Sequence, residues 1–528
     1  MSGDLLALEL TFVELLLLVF VVAMVVHRIR VPYTVALVLV GLALSFQQAI
    51  QVELTPEIIL LLFLPPLVFE AALHIDYPTF RKVLTPVLLL AVFGVLITVG
   101  IVYGLLQSTG LLDWRAALIF ASLIAATDPV AVVSLFKVLG APRRLATLVE
   151  SESLFNDATT IVTFHLVLAA TLSHGGAETG RDFLQAVQQF LLVSLGGMGI
   201  GVVAGVLANH IFARVDDHLI EITLSTIIAY GSYLLAEQFH LSGVLAVVFA
   251  GMLIGNRSDR NMSPTTRMVL MNFWEYIAFL ANSLVFILIG MEVVFPRLEG
   301  HLLALLAVAL AAVLLSRAVA VYGLSLVSRV LRNRVPIPYQ HVLFWGGLRG
   351  AVSLALALSI PRSFAGRETI LTLTFAVVFF TLLVQATTIS ALLRRLGLAG
   401  PTEEQLAYER IHARLLAVRA AYNRLEKEYQ QGMVDPAAWK AIEPELNARI
   451  QALKQELEAF AAAHPDLAVK ITTSLRREAL ITQRAAILDL NREGVISDEV
   501  ARELMAEIDA ELDELRRRPA SYPVTKHA

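Results

Sequence analysis

Glu150-Ser151-Glu152-Ser153-Leu154-Phe155-Asn156-Asp157-Ala158-Thr159-Thr160-Ile161-Val162 places three acids in a stretch that continues as apolar sequence to Leu172. Residues 144–172 are long enough to cross a bilayer. Glu150, Glu152 and Asp157 therefore lie in or at the edge of hydrocarbon. An ionised carboxylate at the bilayer centre costs roughly 2.5–3.5 kcal/mol on insertion scales. Folding alone does not require that expense, so the segment reads as a site inside a membrane protein.

The rest of the chain agrees. Of 528 residues, 57% are hydrophobic and 16% charged, and the mean hydropathy is +0.72. Apolar runs of membrane length recur up to residue 396. The pattern predicts thirteen spans, at 6–27, 33–47, 56–74, 84–107, 115–138, 144–172, 183–212, 219–237, 242–255, 266–294, 302–328, 340–360 and 369–396. The first run follows no Lys or Arg, so it reads as a span rather than a secretory signal. Alternate loops are unequal in charge. One set holds sixteen Lys and Arg, among them Arg81, Lys82, Arg143, Arg144, Arg329 and Arg334; the other holds Arg115, Arg181, Arg297, Arg362 and Arg367. The basic set belongs in the cytoplasm, which puts the N-terminus outside and the C-terminus inside a cell membrane.

Residues 401–528 carry 22 acidic and 18 basic side chains, against 46 charged residues in the first 400. The chain thus divides into a membrane body, 1–396, and a cytoplasmic tail, 397–528. Helical patterns run through the tail at 404–431, 436–462 and 473–517, with breaks expected near Pro444, Pro465 and Gly494-Val495. The fold class is an all-α polytopic membrane protein with a helical tail. Without cysteine, disulfides, thiolate chemistry and Cys-type zinc sites are excluded. HExxH, GxSxG and GxGxxG are absent too, so neither an enzyme, a cofactor nor a nucleic-acid partner is expected.

Several spans carry breakers: Pro65-Pro66 in the third, Pro129 in the fifth, and Gly346-Gly347 with Gly350 in the twelfth. Backbone freed at membrane depth survives only where protein or a water-lined cavity satisfies it. Interrupted spans in corresponding places of two halves point to a transport site, and spans five and twelve correspond if spans 1–6 and 8–13 form inverted repeats. Gly197, Gly201 and Gly205 in the seventh span, and Gly251 and Gly255 in the ninth, read as close helix packing.

Asp128 is the only charge between Arg115 and Lys137. With Pro129 unwinding the helix, its carboxylate, the Thr127 hydroxyl and bare carbonyls near Ala126 suit a hard cation; capping of a half-helix is the structural alternative. In the sixth span Ser153 and Asp157 share one helical face, as do Glu152 and Asn156. The first face points at Asp128. The second leaves Glu152 needing a cation, for which Arg349 is the expected partner. Arg317 is left to snorkel or pair, and Glu275 to start the tenth span.

These motifs, Thr127-Asp128-Pro129-Val130-Ala131-Val132, Glu152 to Ala158 and Gly346 to Leu358 (GGLRGAVSLALAL), resemble the monovalent cation/proton antiporters of the NhaP and eukaryotic Na+/H+ exchanger type. The resemblance covers residues 6–396 and extends to Pro65-Pro66-Leu67-Val68-Phe69-Glu70 and Val384-Gln385-Ala386-Thr387. It implies Asp157 as the carboxylate shared by proton and cation, with Asp128 as its partner. It further implies Thr127, Ser153 and Glu70 as oxygen ligands and Asn156 as the neighbour orienting the site. The Asn156-Asp157 pair resembles the electroneutral branch. The implied fold has a dimerisation domain and a mobile core of spans 4–6 and 11–13. The implied substrates are Na+ (or Li+) and H+, with K+/H+ exchange as the alternative, and the implied assembly is a homodimer.

Overall fold

The computed structural model describes residues 2–29, 33–47, 55–172, 179–215, 217–262, 264–291, 300–331, 333–399, 403–492 and 495–517. It divides into two compact units, Met1–Ala399 and Gly400–Ala528. Among the described residues there are nineteen helices and no strand. The first unit opens with α1 (Ser2–Ile29), α2 (Tyr33–Gln47), α3 (Ile58–His74) and α4 (Tyr77–Ser108). Next come α5 (Trp114–Leu123), α6 (Val130–Leu139), α7 (Arg143–Leu172), α8 (Thr179–Phe212), α9 (His218–Gln238) and α10 (Gly243–Asn261). It closes with α11 (Pro264–Met291), α12 (Gly300–Val330), α13 (Ile337–Trp345), α14 (Ala351–Leu358) and α15 (Arg367–Arg395). Seven described helices are each long and apolar enough to cross a membrane, all or part of α4, α7, α8, α9, α11, α12 and α15.

Two packing groups make up this unit. In the first, α8 packs on α10, α10 on α3, and α2 on α11. Glycines set these approaches. A Cβ on Gly201 would lie 2.9 Å from the Ala246 carbonyl carbon, and one on Gly255 would lie 2.9 Å from that of Leu73. A Cβ on Gly41 or on Gly290 would lie 3.0 Å from the other's Cα. Such contacts supply the dispersion and Cα–H···O interactions that hold helices together where lipid removes the hydrophobic drive. The close-packing reading of the α8 and α10 glycines is what the structure shows. The second group joins α4, α5, α7, α12, α14 and α15, and polar contacts tie it in addition to a shared apolar core.

The breakers behave unequally. Pro65-Pro66 does not interrupt α3: a π-helical turn at Ile58–Phe63 precedes the prolines, which sit in the first turn of the α-helical part, Leu64–His74. A wider turn moves the upstream carbonyls away from the pyrrolidine rings, so the chain stays helical. Spans five and twelve do break. The first half of span five ends at Leu123 and the second begins at Val130, with Pro129 at its N-cap. Span twelve breaks between Trp345 and Ala351. The two unwound stretches cross in an antiparallel bridge, in which the Asp128 amide donates to the Leu348 carbonyl at 2.8 Å.

The second unit comprises α16 (Glu403–Gln430), α17 (Pro436–Ala463), α18 (Pro465–Arg492) and α19 (Asp498–Arg517). The first two form a hairpin turning at Gly432, whose φ of 73° suits a glycine past a helix end. Trp439 lies between Tyr422 and Tyr429, with ring centroids 5.6 and 5.5 Å away. Pro444 does not break α17 as expected; its position in the third turn of a largely solvated helix leaves the freed carbonyl to water.

Candidate functional site

The crossing point brings Asp128, Ser153, Arg349 and Ser353 together. Unwinding at residues 124–127 frees carbonyls that the sequence alone suggested were bare. They are not. Ser353 Oγ donates to the Leu123 carbonyl at 3.0 Å. One Arg349 guanidinium nitrogen reaches the Ala125 and Ala126 carbonyls, each at 2.8 Å. Ser153 Oγ donates to the Thr127 carbonyl. Desolvated carbonyls cost free energy unless paired, and side chains from two other helices have taken this backbone.

Asp128 is divided between structure and site. Its Oδ1 accepts the Val130 amide at 2.9 Å, capping α6. Its Oδ2 lies over Gly350, where an added Cβ would overlap it and come within 2.5 Å of the Asp128 Cβ. Gly350 has φ −145°, so close approach rather than backbone conformation requires glycine. Gly350→Ala is expected to cost about 1–3 kcal/mol by overpacking. A thermal-unfolding midpoint in detergent equal to wild type would show that Asp128 has room to move.

Asp157 and Thr127 supply the unused oxygens. The Thr127 amide faces the Asp157 carboxylate, and Asp128 lies close enough to Asp157 to repel it. Asp157 Oδ1 and Thr127 Oγ1 are buried and have no hydrogen-bond partner among the described residues. Both residues line a cavity of about 470 Å³ together with Asp128 and Ser153. Its other wall comes from α3 and α11, including Glu70, His74, Glu275 and Asn282. Glu70 lies 3.3 Å from His74 Nδ1. The cavity thus separates the glycine-packed group from the polar-tied group. No cluster of three or more His, Cys, Asp or Glu suited to a metal is found among the described residues. What converges instead is two carboxylates and a hydroxyl.

The expected Glu152–Arg349 pair is replaced. Glu152 pairs with Arg317, whose two terminal nitrogens lie 2.7 and 3.0 Å from its two carboxylate oxygens. Arg317 Nε and one terminal nitrogen also donate to the Leu343 carbonyl, at 3.2 and 3.0 Å. The reason is geometric. Arg349 is committed to the carbonyls of span five, while Gly347, where a Cβ would come within 2.5 Å of Arg317 Nε, admits the α12 arginine. Each interrupted span therefore has an arginine from elsewhere on its freed carbonyls: Arg349 on Ala125 and Ala126 just beyond α5, and Arg317 on Leu343 in the last turn of α13. A positive charge at a helix C-terminus is favourable. Asn156 lies on this same side, donating to Glu152 at 3.3 Å and accepting from Thr160 at 3.0 Å. It is not among the cavity-lining residues. Arg317 stands alone in an otherwise apolar span, and nothing in its local sequence marks it as Glu152's partner.

The fold matches that of the sodium proton antiporter MjNhaP1 from Methanocaldococcus jannaschii at pH 8, with a TM-score of 0.62 at 21% identity, over 74% of this chain and 99% of that one. Residues 15–395 match the family described as "Sodium/hydrogen exchanger, transmembrane", and the chain belongs to that family. It is therefore a multi-pass membrane protein. It is 36% identical over 478 residues to the low-affinity Na+/H+ antiporter NhaS1 of Synechocystis, covering 89% of this chain and 90% of that protein. It is 40% identical over 438 residues to the Na+/H+ antiporter ApNhaP of Aphanothece halophytica, covering 81% and 79%.

Proposed function

We propose that this chain is a secondary antiporter exchanging one Na+ or Li+ for one H+, the two ions competing for Asp157 with Asp128 beside it. The observation that carries the reading is the pair of carboxylates at the crossing of two broken helices, with Asp157 Oδ1 and Thr127 Oγ1 unpartnered on a shared cavity. The Na+/H+ antiporters among its relatives support it. In this reading a dehydrated cation takes oxygens from Asp157, Asp128 and Thr127, with Ser153 and the Thr127 carbonyl parting to admit it. Glu70 faces it from the opposite wall, which also carries Glu275.

Charge supports the one-for-one ratio. At the crossing, half-buried Asp128 and Asp157 with buried Glu152 sum with buried Arg317 and Arg349 to one negative charge when all are ionised. A single cation or a single proton neutralises it, so the two loaded states carry the same charge. The empty state leaves a bare carboxylate in a low-dielectric site and is disfavoured from crossing. Obligatory exchange follows, with the group of α4–α7 and α12–α15 moving against the group containing α2, α3 and α8–α11. The glycine-packed group is the one suited to pairing in a homodimer. Counting each broken pair as one crossing makes thirteen, with the N-terminus outside the cell membrane, the tail in the cytoplasm and pH homeostasis as the role.

The test is ΔpH-driven uptake of Na+, Li+ and K+ in proteoliposomes, with the membrane potential clamped at several values. Saturable Na+ uptake insensitive to voltage is expected. Voltage-dependent exchange would overturn the stoichiometry, and K+ uptake equal to or above Na+ uptake would favour K+/H+ exchange by the same site.

A further inference from the structure

Away from the cavity, three segments of the α4–α7–α12 side meet in one basic shelf. The Asn333 side-chain amide donates to the Lys82 carbonyl at 2.8 Å, joining the loop after α12 to the start of α4. Arg144 donates to the Arg334 carbonyl at 3.1 Å, joining that loop to the start of α7. The loop is itself closed on α12, since the Asn333 amide donates to the Ser328 carbonyl at 3.0 Å and Ser328 Oγ to the Asn333 carbonyl at 2.6 Å. These bonds bring Arg81, Lys82, Arg143, Arg144, Arg329 and Arg334 together, and all six are exposed. Residues 77–88, 139–149 and 325–337 contain no Asp or Glu. The adjacent Asp76 is engaged in capping α4, accepting from Thr79 N at 3.1 Å and Thr79 Oγ1 at 2.6 Å.

A charge bias between loops explains basic residues on one side of a membrane. It does not explain their being locked into one platform by backbone-directed hydrogen bonds. The last turns of α12 expose Leu326, Val327, Val330 and Leu331, and α13 begins with exposed Ile337. Val330 is 77% exposed and directly follows Arg329. Guanidinium groups at the end of an exposed apolar strip match a ligand that is anionic at one end and hydrocarbon at the other.

We propose that this shelf seats an anionic phospholipid, its phosphate among Arg81, Lys82, Arg143 and Arg334 and its acyl chains along the α12 strip. The headgroup chemistry does not depend on the transport reading; only the leaflet, cytoplasmic, follows from the orientation given above. A free phosphate would use the arginines and not the strip. A partner made of the chain's own acids would use the charge and not the hydrocarbon.

The test compares the full chain with the triple variant Arg81→Gln, Arg143→Gln, Arg334→Gln, which takes one residue from each segment and spares the structural Arg144. A control triple, Arg214→Gln, Arg257→Gln, Arg394→Gln, removes equal charge elsewhere. Thermal-unfolding midpoints and lipid retained in native mass spectra are measured in detergent with dioleoyl phosphatidylglycerol, dioleoyl phosphatidylcholine or inorganic phosphate. Near an anionic surface each basic residue is worth about fivefold, so the shelf triple should weaken phosphatidylglycerol retention by roughly a hundredfold. Its midpoint in phosphatidylcholine should stay at the wild-type value, and the control triple should keep the phosphatidylglycerol response. The proposal is overturned if the shelf triple still responds, if the control triple loses as much, or if inorganic phosphate stabilises the wild type as well as the lipid does. A midpoint lowered equally in both lipids also overturns it, because the arginines would then be pairing with the protein itself.

Discussion

Asp157→Asn should abolish ΔpH-driven Na+ uptake while leaving the protein folded. The substitution keeps the shape of the side chain and the acceptor facing the Thr127 amide, but it removes the one negative charge that cation or proton must neutralise. Losing a charge from a buried pair costs about 3–5 kcal/mol, which is roughly a 10²–10⁴-fold loss of cation affinity. The fold has no comparable reason to weaken, because the substitution also relieves repulsion between Asp157 and Asp128. The thermal-unfolding midpoint of the variant should equal or exceed that of the wild type. Uptake in proteoliposomes above a tenth of the wild-type rate, with the variant folded, would remove Asp157 from the centre of the mechanism.

Arg317→Gln should be the most destabilising single change in the buried polar set. It strands Glu152, which is 1% exposed, without its cation. It also removes the donors that close the C-terminal end of α13 at Leu343. Breaking a buried pair from one side costs about 3–5 kcal/mol. Restoring neutrality with Glu152→Gln in the same chain should recover a large part of that loss, because two amides can hydrogen-bond without leaving a charge. Arg349→Gln should act differently: it frees the Ala125 and Ala126 carbonyls but leaves Glu152 paired, so adding Glu152→Gln to it should bring no recovery. Unfolding midpoints of the two single variants and the two double variants form a test with opposite outcomes. Recovery with Arg349→Gln and none with Arg317→Gln would reinstate the partner that the sequence pattern suggests.

This difference marks where local sequence stops being informative. For Glu152 the pattern around Arg349 points to that arginine: Gly346, Gly347 and Gly350 announce a broken helix at a functional depth. The signal was sound for the break and misleading for the partner. The same glycines that mark the break open space at residue 347 for Arg317, which stands in an unremarkable apolar helix. The free carbonyls at residues 124–127 carried a similar ambiguity. Pro129 shows that the helix must unwind, but which donors arrive depends on Ser153 and Ser353 on two other helices and on Arg349 in the break of span twelve. Pro65-Pro66 has the same chemistry as a breaker yet breaks nothing, because a π-helical turn absorbs it.

By itself the sequence determined the membrane body, the charged helical tail, the two interrupted spans and the carboxylates at membrane depth. Those features follow from solvent: hydrocarbon penalises every charge and every unpaired amide, so run length, charge position and proline or glycine placement are enough to find them. Only the tertiary structure decided that Asp128 meets Leu348 across the crossing, that Thr127 Oγ1 and Asp157 Oδ1 remain unused on one cavity, and that Glu152 belongs to Arg317. Each of these depends on which helices approach closely enough to exchange a hydrogen bond. That is set by side-chain volumes at contacts 165 or more residues apart in the Glu152–Arg317 and Asp128–Leu348 pairs, where no periodicity along the chain can report it.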